Sequence, residues 1–159
     1  VIEAGGGGYY VCGLMDDYLA MESRGFLMKL DGAGNMIWTK NYLDPTVMSF
    51  PILDMIQLYT GELVMIAEDE YNAVAGYILV ADPNGNLTKS KKMPMDPGNG
   101  IMSMNLTALN SSDFQISFVV YNSLSSVYET TVMRSVGTSL MWCDLNDITL
   151  SIPPQRITR

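Results

Sequence analysis

Self-similarity at a fixed period constrains this chain more than any other feature. Gly25-Phe26-Leu27-Met28-Lys29-Leu30-Asp31-Gly32-Ala33-Gly34-Asn35-Met36 returns as Gly76-Tyr77-Ile78-Leu79-Val80-Ala81-Asp82-Pro83-Asn84-Gly85-Asn86-Leu87, displaced by 51 residues. Upstream, Gly8-Tyr9-Tyr10-Val11-Cys12 aligns with Gly61-Glu62-Leu63-Val64-Met65 at a displacement of 53. A weaker third copy puts Val132-Met133-Arg134 and Gly137 through Trp142 against Leu79 through Lys89, again at 53, which gives Trp142 the register of Trp38. A period near fifty residues implies one supersecondary unit used repeatedly, each copy burying its apolar face on the next.

Each copy reads as four short strands. In the middle copy they are expected over roughly Ile52–Tyr59, Glu62–Ala67, Ala75–Ala81 and Leu87–Met93, segments rich in β-branched, aromatic and other apolar residues between turn signals. Thr60-Gly61 and Ser111-Ser112-Asp113 read as tight turns, and Asp31–Asn35 and Asp82–Asn86 as longer hairpin loops. In those two loops Asp31 and Asp82 accept bonds from the turn backbone, Gly34 and Gly85 take the positive-φ position, and Asn35 and Asn86 close the turn. No stretch carries a capped 3.6-residue period, so helix is expected to be nearly absent. The fold class expected is all-β: four-stranded antiparallel blades of a partial β-propeller, in about three repeats of 51–53 residues. A β-sandwich would use the same strands but would not explain the period. The expected divisions are residues 1–45 (a blade lacking its first strand), 46–97, 98–144 (degenerate) and a strand or tail over 145–159. Trp38 and Trp142 are the expected repeat core.

Composition narrows function by exclusion. Nine Lys and Arg against seventeen Asp and Glu leave a net charge of −8, no footprint for nucleic acid or an anionic membrane face. The chain has no histidine, which removes imidazole bases, Ser-His-Asp and Cys-His arrangements and His-ligated metals. No apolar run approaches the roughly 20 residues of a membrane-spanning helix. The chain opens on Val1-Ile2-Glu3-Ala4, which reads as the end of a strand, with no signal-peptide pattern before it; a processed piece or an excerpt of something longer is expected.

Phe26-Leu27-Met28-Lys29-Leu30-Asp31, Gly34-Asn35, Trp38, Lys40 and Tyr42, following the Gly8-Tyr9-Tyr10-Val11 strand, resemble the blade repeat of large bacterial and protist propeller proteins. The second copy keeps Asp82, Gly85 and Asn86 but carries Lys89 in place of Trp38; the third keeps chiefly the Trp. The resemblance implies a secreted or surface-attached protein and a fold, not an activity. The expected function is a non-catalytic binding or structural module of an extracellular or cell-surface assembly. The alternative is a polysaccharide-acting hydrolase or lyase using an acidic rim. Propellers close with four to eight blades, so the expected partners are further blades or other protomers, met through Val1–Ala4, Ile148–Ile152 or both, with a protein or glycan as ligand.

Asp16-Asp17 with Glu22, and Glu68-Asp69-Glu70, fall in the same loop of successive copies; Asp44 and Asp96 in the connections should open on the same end. Asp16, Asp17, Glu68, Asp69 and Glu70 are therefore the candidate Ca²⁺ ligands, although a charge run is more often a solvated loop and no cofactor is expected. No catalytic motif accompanies the acids. Met93-Pro94-Met95 and Met102-Ser103-Met104 have a spacing that soft Cu(I) sites use, yet a period of two sets each pair on one strand face, where thioethers fill core space. Cys12 and Cys143 lie two copies apart, too far for an expected disulfide. Three Asn-x-Ser/Thr sequons mark Asn110, Asn86 and Asn105 as glycosylation candidates. Asn110 leads because it lies in a loop, and Asn105, within a strand, comes last.

Overall fold

The computed structural model describes residues 1–17, 22–70, 75–94, 99–110, 112–135 and 146–147. Among them there is no helix, and so none long and apolar enough to cross a membrane. The strands are β1 (Ile2–Glu3), β2 (Tyr9–Asp17), β3 (Glu22–Leu30), β4 (Met36–Tyr42), β5 (Ile52–Gln57), β6 (Leu63–Glu68), β7 (Ala75–Ala81), β8 (Leu87–Pro94), β9 (Asn99–Ala108), β10 (Phe114–Asn122), β11 (Val127–Ser135) and β12 (Asn146–Asp147). They form three antiparallel sheets: β1 to β4 in chain order, β5 to β8 in chain order, and β9 to β11 in chain order. The two residues of β12 return to the open edge of β8, opposite Lys92 and Lys91. The described residues form no closed ring. Trp142, Cys143, Met95, Asp96 and Ile148–Ile152 lie outside them.

The strand sequences dictate which sheet lies in the middle. Leu63 through Ala67 and Ala75 through Ala81 are apolar without alternation, as strands covered on both faces must be, and all are buried. In β10 Phe114, Ile116, Phe118 and Val120 are buried while Gln115, Ser117 and Val119 are less so, the period-two mark of one covered face. The second sheet is accordingly sandwiched. Tyr10, Leu27 and Tyr42 of the first sheet meet Leu63, Met65, Tyr77 and Leu79 on one side of it. Val64, Ile66, Ile78 and Val80 meet Ile101, Leu106, Phe114 and Ile116 on the other. Each such aliphatic side chain, fully buried, stabilises the fold by roughly 1.5–3 kcal/mol over its exposed state. First strands of neighbouring sheets touch, β1 with β5 and β5 with β9.

The turns carry the repeat most faithfully. Ala4–Gly8, Asp31–Asn35, Leu58–Glu62 and Asp82–Asn86 share one geometry. The first residue's N–H bonds the fifth residue's carbonyl at 2.9–3.0 Å, and the fourth residue's N–H returns to the first carbonyl at 2.8–3.1 Å. The fourth residue is Gly7, Gly34, Gly61 or Gly85, with φ between 76° and 90°. This is a three-residue hairpin loop whose glycine supplies the left-handed step. The structure therefore sets Gly7, not Gly8, opposite Gly61, and the displacement from β2 to β6 is 54 rather than 53. One residue matters because it exchanges the two faces of a strand. Tyr10 corresponds to Val64, and both point toward the following sheet.

The connection from Leu43 to Pro51 stitches the first two sheets. Phe50 N–H donates to the Ser23 carbonyl at 3.1 Å, and Ser23 N–H to the Met48 carbonyl at 3.0 Å. Glycine is required where this segment passes: a Cβ on Gly25 would stand 2.6 Å from the Phe50 carbonyl oxygen. Gly76, its counterpart, makes the same room for Met93 and Ile101.

Candidate functional site

The acids expected in two loops lie at the ends of β2, β3 and β6 or just after β6, at the end of the sheets opposite the glycine turns. The structure divides them instead of gathering them. Exposed Asp16 accepts the Ser23 hydroxyl at 2.6 Å, and Asp17 lies 3.9 Å from the Arg24 guanidinium. Across the parallel bridge of Ser23 and Ser49, Glu70 accepts the Ser49 hydroxyl. Leu14, Asp16, Ser23, Ser49 and Glu70 line an open depression of about 440 Å³. The two serines, which the sequence did not single out, bind one carboxylate from each sheet. Ser23 follows Glu22 in the sequence, whereas nothing near Ser49 marks it.

Asp44 lies at the same end but is a buried bracket rather than a rim ligand. It accepts the Thr46 N–H at 2.9 Å, the Thr46 hydroxyl at 2.6 Å and the Tyr77 hydroxyl at 3.0 Å. Burial pushes its carboxyl up, but these bonds and the charge of Lys92 together hold it below the usual carboxylate value. Tyr77 is pushed up in turn by burial and by the Asp44 charge. Glu68 is also raised, first by burial and then by Glu70 and Asp69; the Asp69 side chain is buried beside it. Among the described residues no three carboxylate, thiol or imidazole groups are placed to hold one metal ion.

A second polar contact lies at the other end, between the first and second sheets. Trp38, Lys40 and Tyr42 alternate along β4, so all three reach toward the second sheet. There they close on the Asp82–Asn86 turn. Tyr42 donates its hydroxyl to the Gly85 carbonyl at 2.7 Å, and Lys40 Nζ donates to Asn86 Oδ1 at 3.3 Å. The Trp38 ring lies so close that a Cβ on Gly85 would stand 2.8 Å from it. Tyr10, tilted against Trp38 with ring centroids 6.0 Å apart, adds a hydroxyl bond to the Pro83 carbonyl at 3.0 Å. The turn is pre-shaped to receive them. Asp82 Oδ1 accepts the N–H groups of Asn84 and Asn86 at 2.8 and 2.9 Å, and Asn86 Nδ2 donates to Asp82 Oδ2 at 2.9 Å. Burial raises the Asp82 carboxyl, but the Asn86 and Asn84 bonds and the charge of Lys40 together hold it below its ordinary value.

Three further bonds brace the sheets. Gln57 accepts the Gly5 N–H at 2.7 Å and donates to the Gly61 carbonyl at 3.1 Å. Asp54 Oδ2 accepts the Leu106 N–H from the third sheet at 3.0 Å. Asp54 and Gln57 carried no motif, so nothing in the sequence marked them.

The sequons separate by what their amides do. Asn110 Nδ2 donates to Asp113 at 2.8 Å while its oxygen accepts the N–H groups of Ser112 and Asp113 at 2.9 and 2.8 Å; Asn86 Nδ2 is bound to Asp82. Asn105 is exposed on β9, its oxygen accepting the Thr107 hydroxyl at 3.4 Å. A sugar at Asn110 or Asn86 would crowd a turn that uses that nitrogen. Met93 and Met104 fill the core around Gly76, whereas Met102 is exposed. Cys12 is a free thiol, pushed up to about 11 chiefly by burial. Comparison with protein-family models, with curated proteins and with solved structures finds no match to this chain.

Proposed function

We propose that this chain is a non-catalytic binding or structural module, built from propeller-type repeats and working in an extracellular or cell-surface assembly. The observation that carries this reading is the seating of Trp38, Lys40 and Tyr42 on the turn of the following repeat. Three of the residues by which the chain resembles surface propeller repeats, Trp38, Lys40 and Tyr42, are spent on joining one repeat to the next. The carboxylates support the same reading, because Asp16, Asp44 and Glu70 accept hydroxyls that tie loops together. The contact of successive first strands fits blades set around an axis. On this reading the module works without a cofactor, its open acidic depression faces a protein or glycan ligand, and other blades or protomers complete the assembly.

Labelling intact cells of the producing organism with a membrane-impermeant biotin reagent tests the locale. Recovery of the chain in the labelled fraction is expected, and its confinement to the unlabelled cytosolic fraction overturns the assignment. Incubation with polysaccharides tests the rest. Release of reducing ends that disappears in Glu68→Gln would hand the chain to the hydrolase or lyase alternative.

A further inference from the structure

The Asp31–Asn35 turn is built like the Asp82–Asn86 turn. Asp31 Oδ1 accepts the N–H groups of Ala33 and Asn35 at 2.9 and 2.8 Å, Asn35 Nδ2 donates to Asp31 Oδ2 at 2.9 Å, and Gly34 has φ 86° against 76° at Gly85. The two differ in what touches them. Gly85 lies under Trp38 and Lys40, whereas nothing stands within 4 Å of the position a Gly34 Cβ would take. The adjoining face of the first sheet differs in the same way. Tyr9, Val11, Phe26, Met28 and Leu30 point away from the second sheet and are partly or well exposed. Their counterparts in the second sheet, Leu63, Met65, Tyr77, Leu79 and Ala81, are all 0% exposed, sealed under the first sheet.

We infer that this face and the Asp31–Asn35 turn together form a docking surface for one more sheet of the same repeat, whose last strand carries a Trp-x-Lys-x-Tyr pattern. The occupant is set by the interface already inside the molecule, since the same turn geometry and the same apolar register receive such a strand one repeat later. On the docked sheet the indole would cover Gly34, the amine would reach Asn35 Oδ1, and the phenol would donate to the Gly34 carbonyl. The outward face of the third sheet has a different character. It mixes Gln115, Ser117 and Thr130 with Val119, Val132 and Tyr128, a broken pattern in place of the continuous apolar one of the first. The inference deepens the assembly part of the proposed function and rests on its repeat architecture, not on where the chain resides.

The test extends the full chain at its front with a second copy of residues 1–54, so that Asp54 of the added copy precedes Val1 as Asp54 precedes Met55 in the natural order. In ¹⁵N spectra the Gly34 and Asn35 amides should show ring-current shifts. Hydrogen exchange at Val11, Phe26 and Met28 should slow by about tenfold or more. The same fusion carrying Trp38→Ala in the added copy alone should lose the Gly34 shift. Unmoved Gly34 and Asn35 resonances overturn the inference, whether or not the added copy folds. So does sedimentation of the unextended chain as a dimer that protects Val11 and Phe26, which would assign the face to a second whole chain. Failure of surface labelling leaves these outcomes untouched, so the two proposals fail separately.

Discussion

The turns at Asp31–Asn35 and Asp82–Asn86 have one local structure and two tertiary situations. Both use an Asp to gather backbone N–H groups, an Asn to answer it, and a Gly to turn the chain at positive φ. One stands in the open; the other is gripped by Trp38, Lys40, Tyr42 and Tyr10. A local motif can therefore be conserved in geometry within a single chain while its contribution to stability changes with what packs on it. Local hydrogen bonds shape the turn, and contact with the neighbouring repeat decides how much a substitution there costs.

Glycine replacement at the two turns should separate these contributions most strongly. Gly85→Ala combines a strained φ with a collision against the Trp38 ring, and should lower unfolding free energy by about 3 kcal/mol. Gly34→Ala carries the strain alone and should cost about 1–2 kcal/mol. Denaturant titration of both variants checks this, and equal losses would break the comparison.

Truncating the grip comes next. Trp38→Ala should cost about 2 kcal/mol, less than a fully buried Trp because the side chain is only partly buried. Its effect should add less than fully to that of Gly85→Ala, since both remove one contact. Tyr42→Phe should cost about 1 kcal/mol, because it orphans a buried carbonyl at Gly85. If the double variant with Trp38→Ala proves strictly additive, the clamp does not act as a unit.

The pH response sharpens the comparison from the side of the turns alone. The Asn35 side-chain amide, then its backbone N–H, hold Asp31 below the usual carboxylate value; Asp82 is lowered by the equivalent bonds. A depressed folded pKa gives stability that is present above the unfolded value and is lost as pH falls through the folded one. Both carboxyls should thus titrate below an ordinary aspartate in carbon-detected NMR. Glu68 runs the other way. Its raised folded pKa gives stability that is fully present below the unfolded value and lost as pH rises through the folded one. A Glu68 midpoint at or below that of an ordinary glutamate would contradict the burial assigned to it. The smallest effect concerns Cys12. With its thiol near 11, alkylation by iodoacetamide at neutral pH should be far slower than for a free thiol of ordinary acidity, and unfolding should restore the ordinary rate.

Much of the architecture was legible because it follows from local chemistry and period. The expected strand Ala75–Ala81 is β7 itself, and Leu87–Met93 falls one residue short of β8. The strand expected over Ile52–Tyr59 ends at Gln57, because Leu58 already begins the glycine turn. The sequence alone sets Gly8 opposite Gly61; Gly7 takes that place because both glycines have positive φ and only the hydrogen-bond pattern tells which is fourth in the turn. At the candidate site, Asp16, Asp17, Glu22 and Glu68, expected in loops, lie at strand ends. That Asp44 is buried and that Ser23 and Ser49 hold the carboxylates was not legible, because those bonds join segments 7 to 33 residues apart.

By itself the sequence determined the strand class and the turns at Gly34, Gly61 and Gly85. Each depends on side-chain period or on the φ that a residue tolerates, and those are properties of short segments. Only the tertiary structure decided that Trp38, Lys40 and Tyr42 serve the next turn and not their own. Residues 43 and 46 positions apart in the chain meet there, and no local preference encodes a distance of that kind. The physical reason is that a sheet's covered face is fixed by its pattern, whereas the partner that covers it is fixed by how successive sheets stack.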